Sequence, residues 1–156
     1  MEVALFEPRI PQNTGNIARS CAAFNIPLNL IEPLGFQLED KYLKRAGLDY
    51  WPLVTINNYR NFDKFLDSKM TKRIISFSKK NGIYLKDFKF QENDVLLFGR
   101  EDSGLPDSII DKSDFLISIF MPNIQSEANH SKGVRSLNLS VACGIAIYEA
   151  HKQINF

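Results

Sequence analysis

The stretch "GVRSLNLSVACGIAIYEA", residues 133–150, sets an apolar helical body, Val141 to Ile147, behind small polar groups at Ser136, Asn138 and Ser140. A helix needs one such residue as its N-cap, whose side-chain oxygen accepts from the free N–H groups of the first turn. Three of them, interleaved with Leu137 and Leu139, exceed that need. Alternation suits a segment with one apolar and one polar side, as in the wall of a small-molecule pocket. A multiply capped helix with a buried leucine pair accounts for the same pattern. Gly144, inside the apolar body, costs about 1 kcal/mol against alanine in a solvated helix. A close helix–helix contact there would account for it.

Upstream, short β-type runs alternate with helical periodicity. VALF (3–6), LNLI (28–31), VTI (54–56), RIISFS (73–78), DVLLFG (94–99) and FLISIFM (115–121) are expected as buried strands. Helices are expected near 14–25, 39–46, 61–68, 106–112 and 138–152. The alternation predicts an α/β fold, a mostly parallel sheet with helices on both faces, in one domain over 1–156. NIQSEANHSKG (123–133) is expected as a long loop. In such sheets ligands bind beyond the carboxyl ends of the strands. Neither G-x-G-x-x-G nor G-x-x-x-x-G-K-[ST] occurs, so dinucleotide and P-loop binding are unsupported.

The composition, 44% hydrophobic and 24% charged in 156 residues, is that of an ordinary soluble globule. The apolar run before Glu7 is too short for a secretory signal, and no later run would span a bilayer. No membrane partner is expected. Cys21 and Cys143 lie in separate helical patterns without metal-type spacing, which suits free core thiols in a reducing, cytoplasmic compartment. His130 and His151 have no partner motif and are expected at the surface, with no metal. Net charge is only +1, but seven basic residues between Lys69 and Lys89 face Asp87 alone. Between Glu92 and Asp114 the balance reverses, with seven acids against Arg100 and Lys112, so two solvated faces of opposite sign explain the pattern; a basic strip could also hold a phosphate backbone.

Two further clusters are polar. In NTGNIARSCAAF (13–24), Ile17, Cys21 and Phe24 form one stripe, and Arg19 points about 200° away from Ile17. Asn13 or Thr14 could cap this helix. Arg19 sits near the wrong end of the helix dipole, a penalty of ~0.3–1 kcal/mol that a nearby anion would reverse. In LLFGREDSGLP (96–106), Gly99 ends a strand where a ligand could lie against bare backbone, and Glu101 follows at its mouth. A solvated arginine and a plain strand–turn–helix junction are the simpler accounts.

Together the three clusters resemble the three motifs of the SPOUT superfamily of RNA methyltransferases, in the branch related to SpoU and TrmH. Asn13 to Arg19 matches the first, Phe98 to Glu101 with Gly104-Leu105-Pro106 the second, and Arg135 to Ser140 with the helix through Ala150 the third. "IEPLGF" (31–36) and "KRAGLDY" (44–50) are similar to the TrmL type, which acts on the tRNA wobble cytidine or uridine. The resemblance implies a C-terminal trefoil knot, S-adenosylmethionine bound in it, a homodimer, and the tRNA anticodon region as substrate. Residue by residue, it implies cofactor positions at Phe77, Gly99, Ile119 and Ser136, with Glu101 beside the cofactor. Asn13, Arg19 and Asn138 match positions tied to catalysis or its support, and Tyr148 lies where a tyrosine helps with tRNA. Ser136 is thereby assigned to the cofactor, Asn138 to the reacting centre and Ser140 to the helix cap. Two departures are Phe120, where the family usually has proline, and a longer loop from Pro122 to Val134. The rival readings are the same chemistry on ribosomal RNA, a non-catalytic RNA-binding relative, and a flavodoxin-like mononucleotide binder.

Overall fold

The computed structural model describes residues 1–38, 48–79, 81–122 and 135–156. The helix expected at 39–46, the KRAG part of KRAGLDY, Lys80, His130 and the loop 123–133 lie outside the described residues. Strands β1 (Glu2–Phe6), β2 (Leu28–Ile31), β3 (Ile56–Tyr59), β4 (Ile74–Phe77), β5 (Ile83–Tyr84), β6 (Val95–Phe98) and β7 (Phe115–Ser118) form one sheet. Its order is β3-β2-β1-β6-β4-β7-β5, and every neighbouring pair is parallel. The helices are α1 (Pro11–Ala23), α2 (Phe62–Ser68), α3 (Asp107–Ile110) and α4 (Leu139–Asn155), with 3-10 turns at Leu48–Leu53 and Leu85–Asp87. No helix among the described residues is long and apolar enough to cross a membrane.

The strands read as continuous apolar runs because both faces of the sheet are covered. Val3 and Leu5 of β1 and Leu96 and Phe98 of β6 pack with Ile17, Cys21, Cys143 and Ile147 from α1 and α4. Ala4, Phe6, Val95 and Leu97, one residue out of phase, meet Phe62 and Phe65 of α2, Leu105 before α3 and Ile109 within it. The thiols of Cys21 and Cys143 are free and buried; burial pushes Cys21 up to about 12 and Cys143 well above its usual value. Both are therefore inert at neutral pH. His151 is half-buried rather than a surface group, its ring edge-on to Phe24 with centroids 5.0 Å apart.

Three expectations need correction. The strand placed at 54–56 is β3, two residues later, an edge strand carrying Asn57 and Asn58; Val54 is instead buried just before it. The two-residue β5 is too short to show periodicity. The basic run from Lys69 is not one strip. Lys69 and Lys72 both pair with Glu2, and Arg73 grips Asp94 through two 2.7 Å hydrogen bonds. All three lie at the amino ends of the strands, and among the described residues Lys79, Lys86 and Lys89 are left as exposed cations of that run.

Candidate active site

Helix α1 opens at Pro11 after Ile10, a residue with no side-chain acceptor to cap it. The missing acceptor comes from the loop after β6, the strand beside β1. Glu101 Oε2 accepts from the Arg9 N–H at 2.8 Å, and Oε1 from the Ile10 N–H at 3.1 Å and Asn13 Nδ2 at 3.2 Å. The anion that offsets the dipole at this end is thus the chain's own carboxylate. Asn13 and Thr14, expected as caps, lie inside the first turn instead, and both are buried. Asn13 Oδ1 in turn accepts from Asn138 Nδ2 at 3.0 Å. Asn138, not Ser140, is the N-cap of α4: its Oδ1 accepts from the Ser140 N–H at 2.9 Å and from the Ser140 hydroxyl at 2.7 Å. One hydrogen-bonded line therefore runs from Glu101 through Asn13 and Asn138 into α4, joining all three polar clusters.

Losing its charge at Glu101 breaks this line at its anchor. Glu101→Gln is expected to destabilise the fold by about 2 kcal/mol, the scale of hydrogen bonds to a charged group. Urea unfolding measures this, and an unchanged midpoint would show that α1 needs no external cap.

Beyond the carboxyl ends of β4, β6 and β7 lies a cavity of about 920 Å³. Phe77, Gly99, Glu101, Ile119 and Ser136, the residues expected at a cofactor, all line it. Phe77 and Phe98 stack at 4.6 Å between centroids within its wall, and Leu116, Met121, Leu137 and Leu139 add apolar surface. Polar groups come from Lys79, Asn81, Arg100, Asp102 and Ser103. The chain's own packing also requires a glycine at position 99. A Cβ there would sit 2.2 Å from the Gly104 carbonyl carbon and 2.3 Å from the Leu105 nitrogen. The backbone that approaches it is the chain's own. Arg100 and Gly104 exchange two backbone hydrogen bonds, and Gly104 closes this loop at φ 74°, where a side chain would be strained.

The SpoU rRNA Methylase family matches residues 1–148 of this chain. The chain belongs to that family. The tRNA (cytidine(34)-2'-O)-methyltransferase of Saccharophagus degradans is 40% identical over 154 residues, covering 99% of this chain and 96% of its own. A solved structure described as giving insight into the 2-OH methylation of C/U34 on tRNA has a TM-score of 0.88 at 44% identity, covering 97% of this chain and 94% of its own. The SpoU methyltransferase AviRb of Streptomyces viridochromogenes, solved with AdoMet, superposes with a TM-score of 0.81. That likeness, at 21% identity over 98% of this chain and 57% of its own, is one of fold.

In this SpoU methylase, the remaining candidates stand apart from the cavity wall. Arg19 is exposed on α1, its guanidinium carbon 4.7 Å from the centre of the Tyr50 ring. Tyr148 is 62% exposed on α4. It shares a face with Val141 and Ile145, also exposed, by the i, i+4, i+7 spacing of a helix. Among the described residues, open space rather than a neighbouring helix surrounds the position of a Gly144 Cβ, so the contact expected there is not made by any of them. Sequence reasoning passed over the Tyr50 ring that lies against Arg19; its only signal was its place at the end of KRAGLDY. The capping duty of Glu101 also escaped it, although an α1 without an N-cap acceptor was the clue.

Proposed function

We propose that this SpoU methylase transfers a methyl group from S-adenosylmethionine to the ribose 2′-oxygen of the tRNA wobble nucleotide, a cytidine or uridine derivative. The observation that carries the reading is the gathering of Phe77, Gly99, Ile119 and Ser136 around one cavity, beside the Glu101–Asn13–Asn138 line. The 44%-identical structure concerned with C/U34 supports the choice of RNA. The cavity fits the cofactor: its volume lies in the range of small-molecule sites, and its wall pairs apolar side chains with a few polar groups. Arg100 Nε is buried without a hydrogen-bond partner among the described residues, a donor left over at that wall.

When bound, the sulfonium supplies an electrophilic methyl. The protein's part is alignment and charge. Gly99 and Ser136 hold the cofactor, and Leu116, Ile119 and Leu139 keep water from it. Arg19 cannot act as base, because a guanidinium has a pKa above about 12 and no acceptor lone pair. It binds the neighbouring phosphate and stabilises charge on the 2′-oxygen, whose proton leaves late to water or phosphate.

Because Arg19 is not part of the cavity wall of its own chain, the reading includes a homodimer in which each arginine serves the partner's cavity. The exposed Val141, Ile145 and Tyr148 with Gly144 between them suit a closely packed interface. The final helix threading a trefoil knot, the anticodon region as the docking site and a cytoplasmic location complete the proposal. Incubation with total tRNA and labelled S-adenosylmethionine, followed by mapping of the labelled nucleotide, tests it. Label on a wobble ribose is expected; label on ribosomal RNA alone would overturn the tRNA assignment.

A further inference from the structure

Beside the cavity, a second hollow of about 240 Å³ opens between the β4–β5 connection and the end of β7. Lys79, Asn81, Ile119 and Met121 line both hollows, so whatever occupies the smaller one lies next to the larger. Its wall carries two aromatic side chains that water reaches freely. Tyr84 is 45% exposed and Phe120 is 64% exposed, and their rings meet edge to face with centroids 5.7 Å apart. Ile83, next to Tyr84, is also exposed. Large apolar groups gathered in water at the rim of a site mark a surface that something covers.

The surrounding charge selects the occupant. Lys79 is exposed and lines both hollows, and Lys86 is exposed two residues after Tyr84. Lys69, Lys72 and Arg73 are tied to carboxylates at the amino ends of the strands, and Lys89 lies beside Arg73, whose Nη2 donates to the Lys89 carbonyl at 3.1 Å, so among the described residues Lys79 is the cation of this run at the hollow. Exposed rings beside an exposed lysine are what single-stranded nucleic acid binders use: bases stack on the rings and phosphates meet the cation.

We infer that Tyr84 and Phe120 form a base-stacking subsite for an unpaired ribonucleotide of the RNA substrate, with Lys79 on its phosphate. The inference rests on the proposed RNA methylation and adds the place where a base near the reacting ribose is held. Stacking tolerates any base, so the subsite contributes affinity and positioning without choosing the sequence.

Gel-shift titration of total tRNA tests this on the full chain. Phe120→Ala and Tyr84→Ala are each expected to weaken binding about tenfold, and Phe120→Trp to restore it. Their salt dependence should match wild type, whereas Lys79→Ala should lower the slope of log K against log salt by about 0.7. Calorimetry with S-adenosylhomocysteine should give wild-type affinity for Phe120→Ala, and its melting temperature should be unchanged. Wild-type tRNA affinity in both alanine variants overturns the subsite. So does an equal loss of S-adenosylhomocysteine affinity, which would make the pair part of the cofactor site. A shift in the monomer–dimer equilibrium with unchanged RNA binding would make it a protein interface instead. A wild-type enzyme that binds tRNA without methylating it defeats the proposed reaction, and the subsite is then judged on the binding ratios alone.

Discussion

Arg19→Ala is expected to lower single-turnover methylation of tRNA about 100- to 1,000-fold, the range for removing one preorganised donor from a developing oxyanion. Affinity for S-adenosylhomocysteine should stay at the wild-type value, because Arg19 is not among the residues lining the cavity. Arg19→Lys should recover little of the loss. Lysine keeps the charge but not the planar fork that grips a phosphate through two bonds, and its stacking on Tyr50 is weaker. Near-normal turnover in Arg19→Lys, with unchanged tRNA affinity, would sink the bidentate role. Mixing supplies a second arm. Arg19→Ala chains combined with chains whose cavity is blocked by Ser136→Trp should regain activity. One site of each mixed dimer then joins an intact cavity to the partner's arginine. No recovery would place the arginine in its own chain's site.

Glu2→Ala is expected to destabilise the fold by about 3–5 kcal/mol, the cost of leaving a buried charge uncompensated. Glu2 is 7% exposed and Lys69 is 8% exposed. The carboxylate accepts from Lys69 Nζ at 2.6 Å, from Lys72 Nζ, and from Asn29 Nδ2 at 2.9 Å. Asn57 then donates to Asn29 Oδ1 at 3.2 Å, extending the network across three strands. Burial alone would raise the Glu2 carboxyl, but hydrogen bonds from Lys69, Lys72 and Asn29 more than offset it and hold it at about 2. A carboxyl depressed this far contributes about 3 kcal/mol of stability. That contribution is complete above the ordinary value of 4.5 and is lost as pH falls toward 2. Urea midpoints between pH 6 and pH 2.5 should therefore fall more steeply in wild type than in Glu2→Ala. Parallel curves would remove Glu2 from the acid sensitivity.

The sheet was legible because its strands are buried on both sides and declare themselves as unbroken apolar runs between turns. β3 slipped because an edge strand pairs on one side only and can carry Asn57 and Asn58, while Val54 before it supplies misleading hydrophobicity. The cavity residues were legible through their motif positions at strand ends, Gly99 after β6 and Ile119 after β7. What those residues do locally was not. Glu101 reaches the start of α1 across 91 positions, and Asn138 reaches Asn13 across 125. Spacing within a motif carries no trace of partners so remote. The basic run failed for the same reason. Lys69, Lys72 and Arg73 look like solvated cations until β1 and β6 bring Glu2 and Asp94 beside them.

The place of β6 has a consequence for how the chain is made. β6 lies between β1 and β4, both of which are synthesised before it. As the polypeptide leaves the ribosome, β1 can pair with β2, but its other edge stays open until residues 95–98 have emerged. β4 waits for the same four residues on one side and for β7 on the other. A nascent chain of this protein therefore carries bare strand edges rich in valine, isoleucine and leucine for most of its synthesis, an invitation to association with its neighbours. Non-local strand insertion of this kind is slow, and it prolongs the interval in which such edges are exposed.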